Sequence, residues 1–387
     1  MIDPAALASH YSRFRVTERI LLTGHSHQAW PDVAFEGQQA SWLDAASLVD
    51  GKWGRAMEVA AEVADGWRRL LGEPHGEIAL GQNTHDLLVR LLSALVPARR
   101  RLVTTSGEFH TIRRQLDRLA EERIEVVKVA ARPAGTLAER LAAEVTGQTA
   151  AVLVSSVLFE TAEIVPGLPG LAETCERHGV PLVVDAYHHV NIVPFDIAAL
   201  GLARAFVVGG GYKYCQLGEG NCFLRVPPDT TLRPVITGWY SEFAELAEAK
   251  TPGEVRYGRG AARFAGATYD PASHYRARAV FGFFADKDLT PERLRAVSVR
   301  QVGLLAEAVE ALGLDPAVAR IVVTEAERRA GFLAIQTPHA ARLVGELRAR
   351  GVHTDARGDY LRLGPAPYVT DAQLTDAVSH LADLIGR

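Results

Sequence analysis

The sequence predicts an α/β protein: a mostly parallel central sheet with helices on both faces, followed by a smaller C-terminal α/β domain. Three observations carry this. Short apolar runs alternate with helical periodicities through the first two-thirds of the chain, the pattern of a sheet covered on both sides. Reactive side chains stand where those runs end, as ligand groups do in open α/β sheets. A chain of 387 residues with 48% hydrophobic content exceeds one typical domain and can bury a large core.

Strands are expected at 101–105, 124–129, 150–155, 181–185, 205–208 and 221–226, with helices between them. Residues 1–50 read as an N-terminal arm, 51–289 as the large domain and 290–387 as the small one. In the small domain, helical patterns at 304–312 and 340–350 surround strands at 332–336 and 360–363. Pro and Gly interrupt any pattern between Thr251 and Ala261, which reads as loop.

The most informative residue is Lys213, in Gly209-Gly210-Gly211-Tyr212-Lys213-Tyr214 directly after an apolar run. A lysine at the end of a buried strand loses proton affinity and becomes a candidate nucleophile for an aldehyde. Taken alone it also reads as a solvated lysine in a glycine-rich turn. Upstream, Val183-Val184-Asp185-Ala186-Tyr187-His188-His189 runs from a strand into a carboxylate and two imidazoles. Asp185 and Lys213 are far enough apart for a crossover and the next strand, so both can face one crevice. An amine for an aldehyde and an anion for a ring nitrogen are what pyridoxal phosphate needs. Asp185 by itself would equally be a helix cap.

The remaining parts follow. Asn83-Thr84 opens a helical pattern whose free N–H groups could meet a phosphate, and it is also an ordinary cap. Phe109, just past the strand at 101–105, could stack on a ring or serve the core. Arg362 rides a short strand and offers a fork for an α-carboxylate or a surface ion pair. His25-Ser26-His27 beside Trp30-Pro31 reads as a pocket wall, with Ser26 and His27 on the substrate side. Neither this stretch nor His188-His189 has metal-site spacing, and no metal is expected.

Together these segments resemble the kynureninase group of fold-type-I pyridoxal-phosphate enzymes, in the class V aminotransferase superfamily. Tyr212-Lys213-Tyr214 with Gly218-Glu219-Gly220 is similar to that group's Tyr-Lys-Tyr-Leu-Asn-x-Gly-Pro-Gly. The resemblance implies pyridoxal 5'-phosphate as cofactor and Lys213 as the residue that carries it. It makes Tyr212 a phosphate ligand and proton relay, Asp185 the ring-nitrogen partner, His188 its Asp-x-x-His companion and Phe109 the stacking ring. Asn83 and Thr84 match the phosphate loop, and Trp239 of Gly238-Trp239 the indole that reaches the phosphate. The stretch from Arg263 to Thr268 matches the segment contributed by a partner subunit, and Arg362 the carboxylate arginine. A homodimer with a shared active site and an amino-acid substrate are implied, with hydrolytic Cβ–Cγ cleavage and a place in tryptophan catabolism. Departures fall on the substrate side: Ser156-Val157-Leu158-Phe159-Glu160-Thr161-Ala162 replaces His-Val-Asn-Tyr-Arg-Thr-Gly, Tyr240 follows Trp239, and Gly24-His25-Ser26-His27-Gln28 replaces Gly-Asn-Ser-Leu-Gly. Transamination, β-elimination or a silent binding protein therefore stand as alternatives.

Composition removes other classes. A net charge of -4 leaves no footprint for nucleic acid. No apolar run reaches membrane-spanning length and the first residues lack a secretory pattern, so the cytoplasm is expected. Cys175, Cys215 and Cys222 are too few and too scattered for a disulfide framework. None follows Cys222, so a desulfurase would lack its late nucleophilic thiolate.

Overall fold

The computed structural model describes residues 2–246 and 251–385. Its centre is a seven-stranded sheet: β1 (Glu77–Gly81), β2 (Arg101–Thr105), β3 (Glu125–Val129), β4 (Thr149–Ser155), β5 (Leu182–Asp185), β6 (Phe206–Gly210) and β7 (Cys222–Val226). The order across the sheet is β1-β7-β6-β5-β4-β2-β3. The pairs from β3 to β6 are parallel, whereas β7 runs antiparallel to both β6 and β1. Every residue of β4, β6 and β7 is buried, as expected of strands covered on both faces. All six strands expected from the sequence are present within a residue or two. β1 was not expected: its five residues begin on exposed Glu77 and end on Gly81, too short a pattern to read.

The register lines up strand ends that matter. Ser155 of β4 pairs with Asp185 of β5, which pairs with Val208 of β6, so Asp185 and the turn carrying Lys213 leave the sheet at one edge. The glycines in that turn are required by packing. A Cβ on Gly210 would fall 2.5 Å from both the Tyr187 hydroxyl and the Cys222 sulfur.

The C-terminal part holds a four-stranded antiparallel sheet of β8 (Arg320–Ile321), β9 (Leu333–Gln336), β10 (Asp355–Arg357) and β11 (Tyr360–Leu363), ordered β10-β11-β9-β8. Helices Pro291–Glu310, Ala340–Ala349 and Asp371–Ile385 accompany it. The N-terminal segment is stitched to this part: Ile20–Leu21 pairs in parallel with Val352–His353, and the Gly24 amide donates to the Gly364 carbonyl at 2.8 Å. Among the described residues no helix is long and apolar enough to cross a membrane, and no group of three metal-ligating side chains is found.

Candidate active site

Lys213 enters a cavity of about 260 Å³ at the carboxyl edge of the sheet. It is 4% exposed, and its Nζ lies 2.8 Å from His188 Nε2. The amine sits 4.5 Å from the Tyr187 ring centre and 5.2 Å from that of Phe109. Burial pushes its pKa down from 10.5 to about 7; Asp185 opposes that shift, while Arg362 and Arg357 add to it. Burial, with the nearby Lys213 and Arg362, also holds His188 far below the usual histidine range, so the 2.8 Å contact joins a neutral imidazole to the amine.

Asp185 closes the floor of the cavity. Its Oδ1 accepts the Tyr187 N–H at 2.8 Å, and burial raises its carboxyl above the ordinary range. Beneath it lies a second carboxylate. Glu108, 2% exposed, accepts Thr105 Oγ1 at 2.7 Å, Ser155 Oγ at 2.6 Å and the Ser155 N–H at 3.1 Å. Burial lifts its pKa to about 7, and the Asp185 charge acts in the same direction.

At the far end, Asn83 caps helix Thr84–Leu95 from an extended conformation, its side chain accepting the Asp86 N–H at 2.8 Å. Thr84 and His85 then line the cavity at the helix start, where amides have no intrahelical partner and the dipole favours an anion. Phe109 precedes helix His110–Glu121 and packs edge-on against Phe159, ring centres 5.3 Å apart. Amine, floor carboxylate, aromatic wall and anion cradle thus converge on one space, and this set fits pyridoxal phosphate.

The other expected residues take different positions. Tyr212 lines the cavity with its ring 5.0 Å from His27, nearly parallel to it, and burial raises its phenol to about 12. His27 is at the rim, its side chain 68% exposed and 3.9 Å from Glu219. Ser26 turns back on its own loop, donating to the Thr23 carbonyl at 3.1 Å. Arg362 is 2% exposed and already engaged: Nε and Nη2 donate to Asp355 at 2.9 and 2.5 Å, and Nη1 to the Phe159 carbonyl at 2.5 Å. Trp239 and Thr268 lie outside this cavity in the single chain. Trp239 is 43% exposed against Tyr240 and Phe243, and Thr268 lines a second cavity of about 720 Å³ that shares Gln82 with the first.

Sequence reasoning gave no role of their own to Tyr187, Glu108, Glu219 and Asp355, and read His25 only as part of a pocket wall. Glu108 stood one residue before Phe109, and Asp355 shares a strand phase with Arg357, but neither carries a signal of its own.

Fold and site together are those of a fold-type-I pyridoxal-phosphate protein, and the proteins it is similar to are of the class V aminotransferase kind. Residues 294–381 match the family model described as Kynureninase C-terminal domain. The chain is 23% identical over 336 residues to an uncharacterized aminotransferase, YcbU, of Bacillus subtilis, covering 85% of each. It is 27% identical over 267 residues to a kynureninase of Bacillus thuringiensis, covering 67% of this chain and 60% of that protein. Among solved structures, a cysteine desulfurase from Thermococcus onnurineus superposes with a TM-score of 0.84 at 16% identity, covering 100% of this chain and 99% of that one. C-DES, solved with glycine covalently linked to its pyridoxal-phosphate cofactor, gives 0.81 at 17%, covering 97% and 98%. The kynureninase-like, class V resemblance read from the sequence is borne out, and with it pyridoxal 5'-phosphate as the cofactor.

Proposed function

We propose that the chain is a pyridoxal-phosphate enzyme that hydrolyses the Cβ–Cγ bond of an aromatic γ-keto amino acid. Kynurenine and water would give alanine and an aromatic acid. The observation that carries the reading is the Lys213 amine, buried, near-neutral and 2.8 Å from a neutral His188 above the Asp185 carboxylate. When bound, the cofactor supplies a sink for the electron pair left at Cα. Lys213 holds it through its amine and, once freed, takes the Cα proton, with His188 within proton-transfer distance of Nζ. Asp185 would hold the ring nitrogen in its protonated form, and Phe109 would pack against the ring. Thr84 and His85 at the helix start, with Tyr212, would hold the phosphate.

A homodimer is part of this proposal. Val235, Ile236, Trp239 and Phe243 are 71%, 51%, 43% and 50% exposed in one segment, an apolar strip that suits a partner subunit's site. Thiol chemistry is disfavoured. All three cysteines are buried, and burial raises every one of their thiols, so no thiolate is at hand near neutral pH. A second reading, transamination or β-elimination on another amino acid, is supported by the departures at Leu158-Phe159-Glu160 and by Tyr240.

The test is to add L-kynurenine and 3-hydroxykynurenine to the cofactor-loaded protein while following anthranilate-type fluorescence and alanine. Stoichiometric release of both products is expected. A loaded protein that changes neither compound would overturn the hydrolytic reading and move the search to other amino acids.

A further inference from the structure

Arg362 is held by an apparatus that the carboxylate-binding role alone does not call for. Asp355 on β10 stands directly opposite Arg362 on β11 in the antiparallel register. Both of its oxygens are used: Oδ1 accepts Arg362 Nε at 2.9 Å and Oδ2 accepts Nη2 at 2.5 Å. Oδ1 also accepts His25 Nε2 at 2.7 Å. His25 is fully buried, its ring 4.4 Å from that of Phe332, over which the Arg362 guanidinium lies at 5.5 Å. Arg357 Nη1 is the other cation near this carboxylate, 3.8 Å from Oδ2.

Counting donors decides what this arrangement is for. A guanidinium has five N–H groups. Asp355 takes two from the Nε side and the Phe159 carbonyl takes one from Nη1. One N–H on each of Nη1 and Nη2 is left over, the number that a second carboxylate takes end-on. Phe159, whose carbonyl takes Arg362 Nη1, has its ring 5.3 Å from that of Phe109 and 6.4 Å from that of His188, both of which line the Lys213 cavity.

We propose that His25 and Asp355 are positioning residues that lock Arg362 side-on, so that its outer edge presents two N–H groups to the carboxylate of the amino-acid substrate. The inference rests on the amino-acid reading above, and not on which bond is cleaved. It gives the N-terminal segment a role in the site: His25 reaches Asp355 because Gly24 and Leu22 are hydrogen-bonded to Gly364, two residues past Arg362. It also gives a reason for His25 where the resembling family carries Asn. Imidazole Nε2–H spans the gap to Asp355 while the ring fills the space against Phe332.

The test compares two ligands that differ only at the carboxylate, L-alanine and L-alaninamide, by the change each causes in the absorbance of the cofactor-loaded protein. The wild type should bind alanine at least about tenfold more tightly than the amide, since a charge-assisted pair is lost. Asp355→Asn should erase most of that ratio by weakening alanine alone, and His25→Gln should lower it by a smaller factor; Asp355→Glu should restore part of it. Cofactor absorbance and melting temperature serve as folding controls for each variant. An unchanged ratio in both Asp355→Asn and His25→Gln would overturn the proposal, as would equal weakening of both ligands. A wild type that discriminates the two yet leaves kynurenine untouched would remove the hydrolytic reading and leave this one standing.

Discussion

In the cofactor-free protein Lys213 should titrate near 7, well below an ordinary lysine. Its pKa falls from 10.5 to about 7, with burial as the main cause. That corresponds to roughly 5 kcal/mol of preference for the neutral amine over what water would give. At pH 7.5 about three-quarters of the Lys213 amines are free base, against about one in a thousand at the unshifted value. The direction follows from the sign: a lowered pKa means the charged form disappears as pH rises through about 7, and the nucleophilic form is then fully present. Trace acetylation of the cofactor-free protein, quantified by mass spectrometry, reads this directly, because the anhydride reacts with free amines alone. Lys213 labelling should reach half its maximum near pH 7 and level off by about pH 8.5, while a free lysine derivative added to the same mixture goes on rising about tenfold per pH unit. Asp185→Asn should move the Lys213 midpoint lower, since Asp185 is the group that holds its proton affinity up. Labelling of Lys213 that tracks the free lysine derivative, without a plateau below about pH 9, would refute the burial argument and with it the primed nucleophile.

Two further outcomes follow from the same geometry. Lys213→Ala should abolish the absorbance band of lysine-bound cofactor while the protein stays folded by circular dichroism; a band that persists would show that another group carries the aldehyde. Gly364→Ala would place a Cβ against the His25 ring, 3.0 Å from its Cγ and closer still to Nδ1, and should cost about 1–3 kcal/mol, seen as a lowered melting temperature; an unchanged value would mean that His25 shifts without cost and is not wedged between Gly364 and Phe332.

The strands of the central sheet were legible because parallel strands covered on both faces leave near-continuous apolar runs, such as Ala150-Ala151-Val152-Leu153-Val154. Lys213 and Asp185 were legible because each closes such a run. Elsewhere the information is not local. His25 and Asp355 are 330 residues apart, and nothing in either stretch names the other; the pairing of Ile20–Leu21 beside Val352–His353 brings them together. Turn geometry also separates neighbours that sequence treats as one unit. Across His25-Ser26-His27 one side chain goes into the core, the next onto the Thr23 carbonyl and the third out to the rim. Trp239 and Thr268 could not be placed from one chain's sequence, since the role expected of them belongs to an assembly.

The charges of the site explain how so many ionisable groups can share one buried place. Burial makes Lys213 readily neutral, lowers His25 to about 4 and holds His188 below the histidine range, so at pH 7.5 these three contribute little charge. Arg362 and Arg357 both approach Asp355, whose own pKa is held far below the usual range by His25 and Arg362 despite its burial. In the proposed reading the carboxylate of an amino acid would bring a second negative charge to this pair of arginines. On the cofactor side the proposed partner of the ring nitrogen is Asp185, a carboxylate whose burial a protonated ring nitrogen would offset, with Glu108 nearby raised to about 7. The two ends therefore await opposite charges. The departures at Leu158-Phe159-Glu160 and Tyr240 lie outside the residues that line the Lys213 cavity, whose lining keeps Asp185, His188, Tyr212 and Lys213 together.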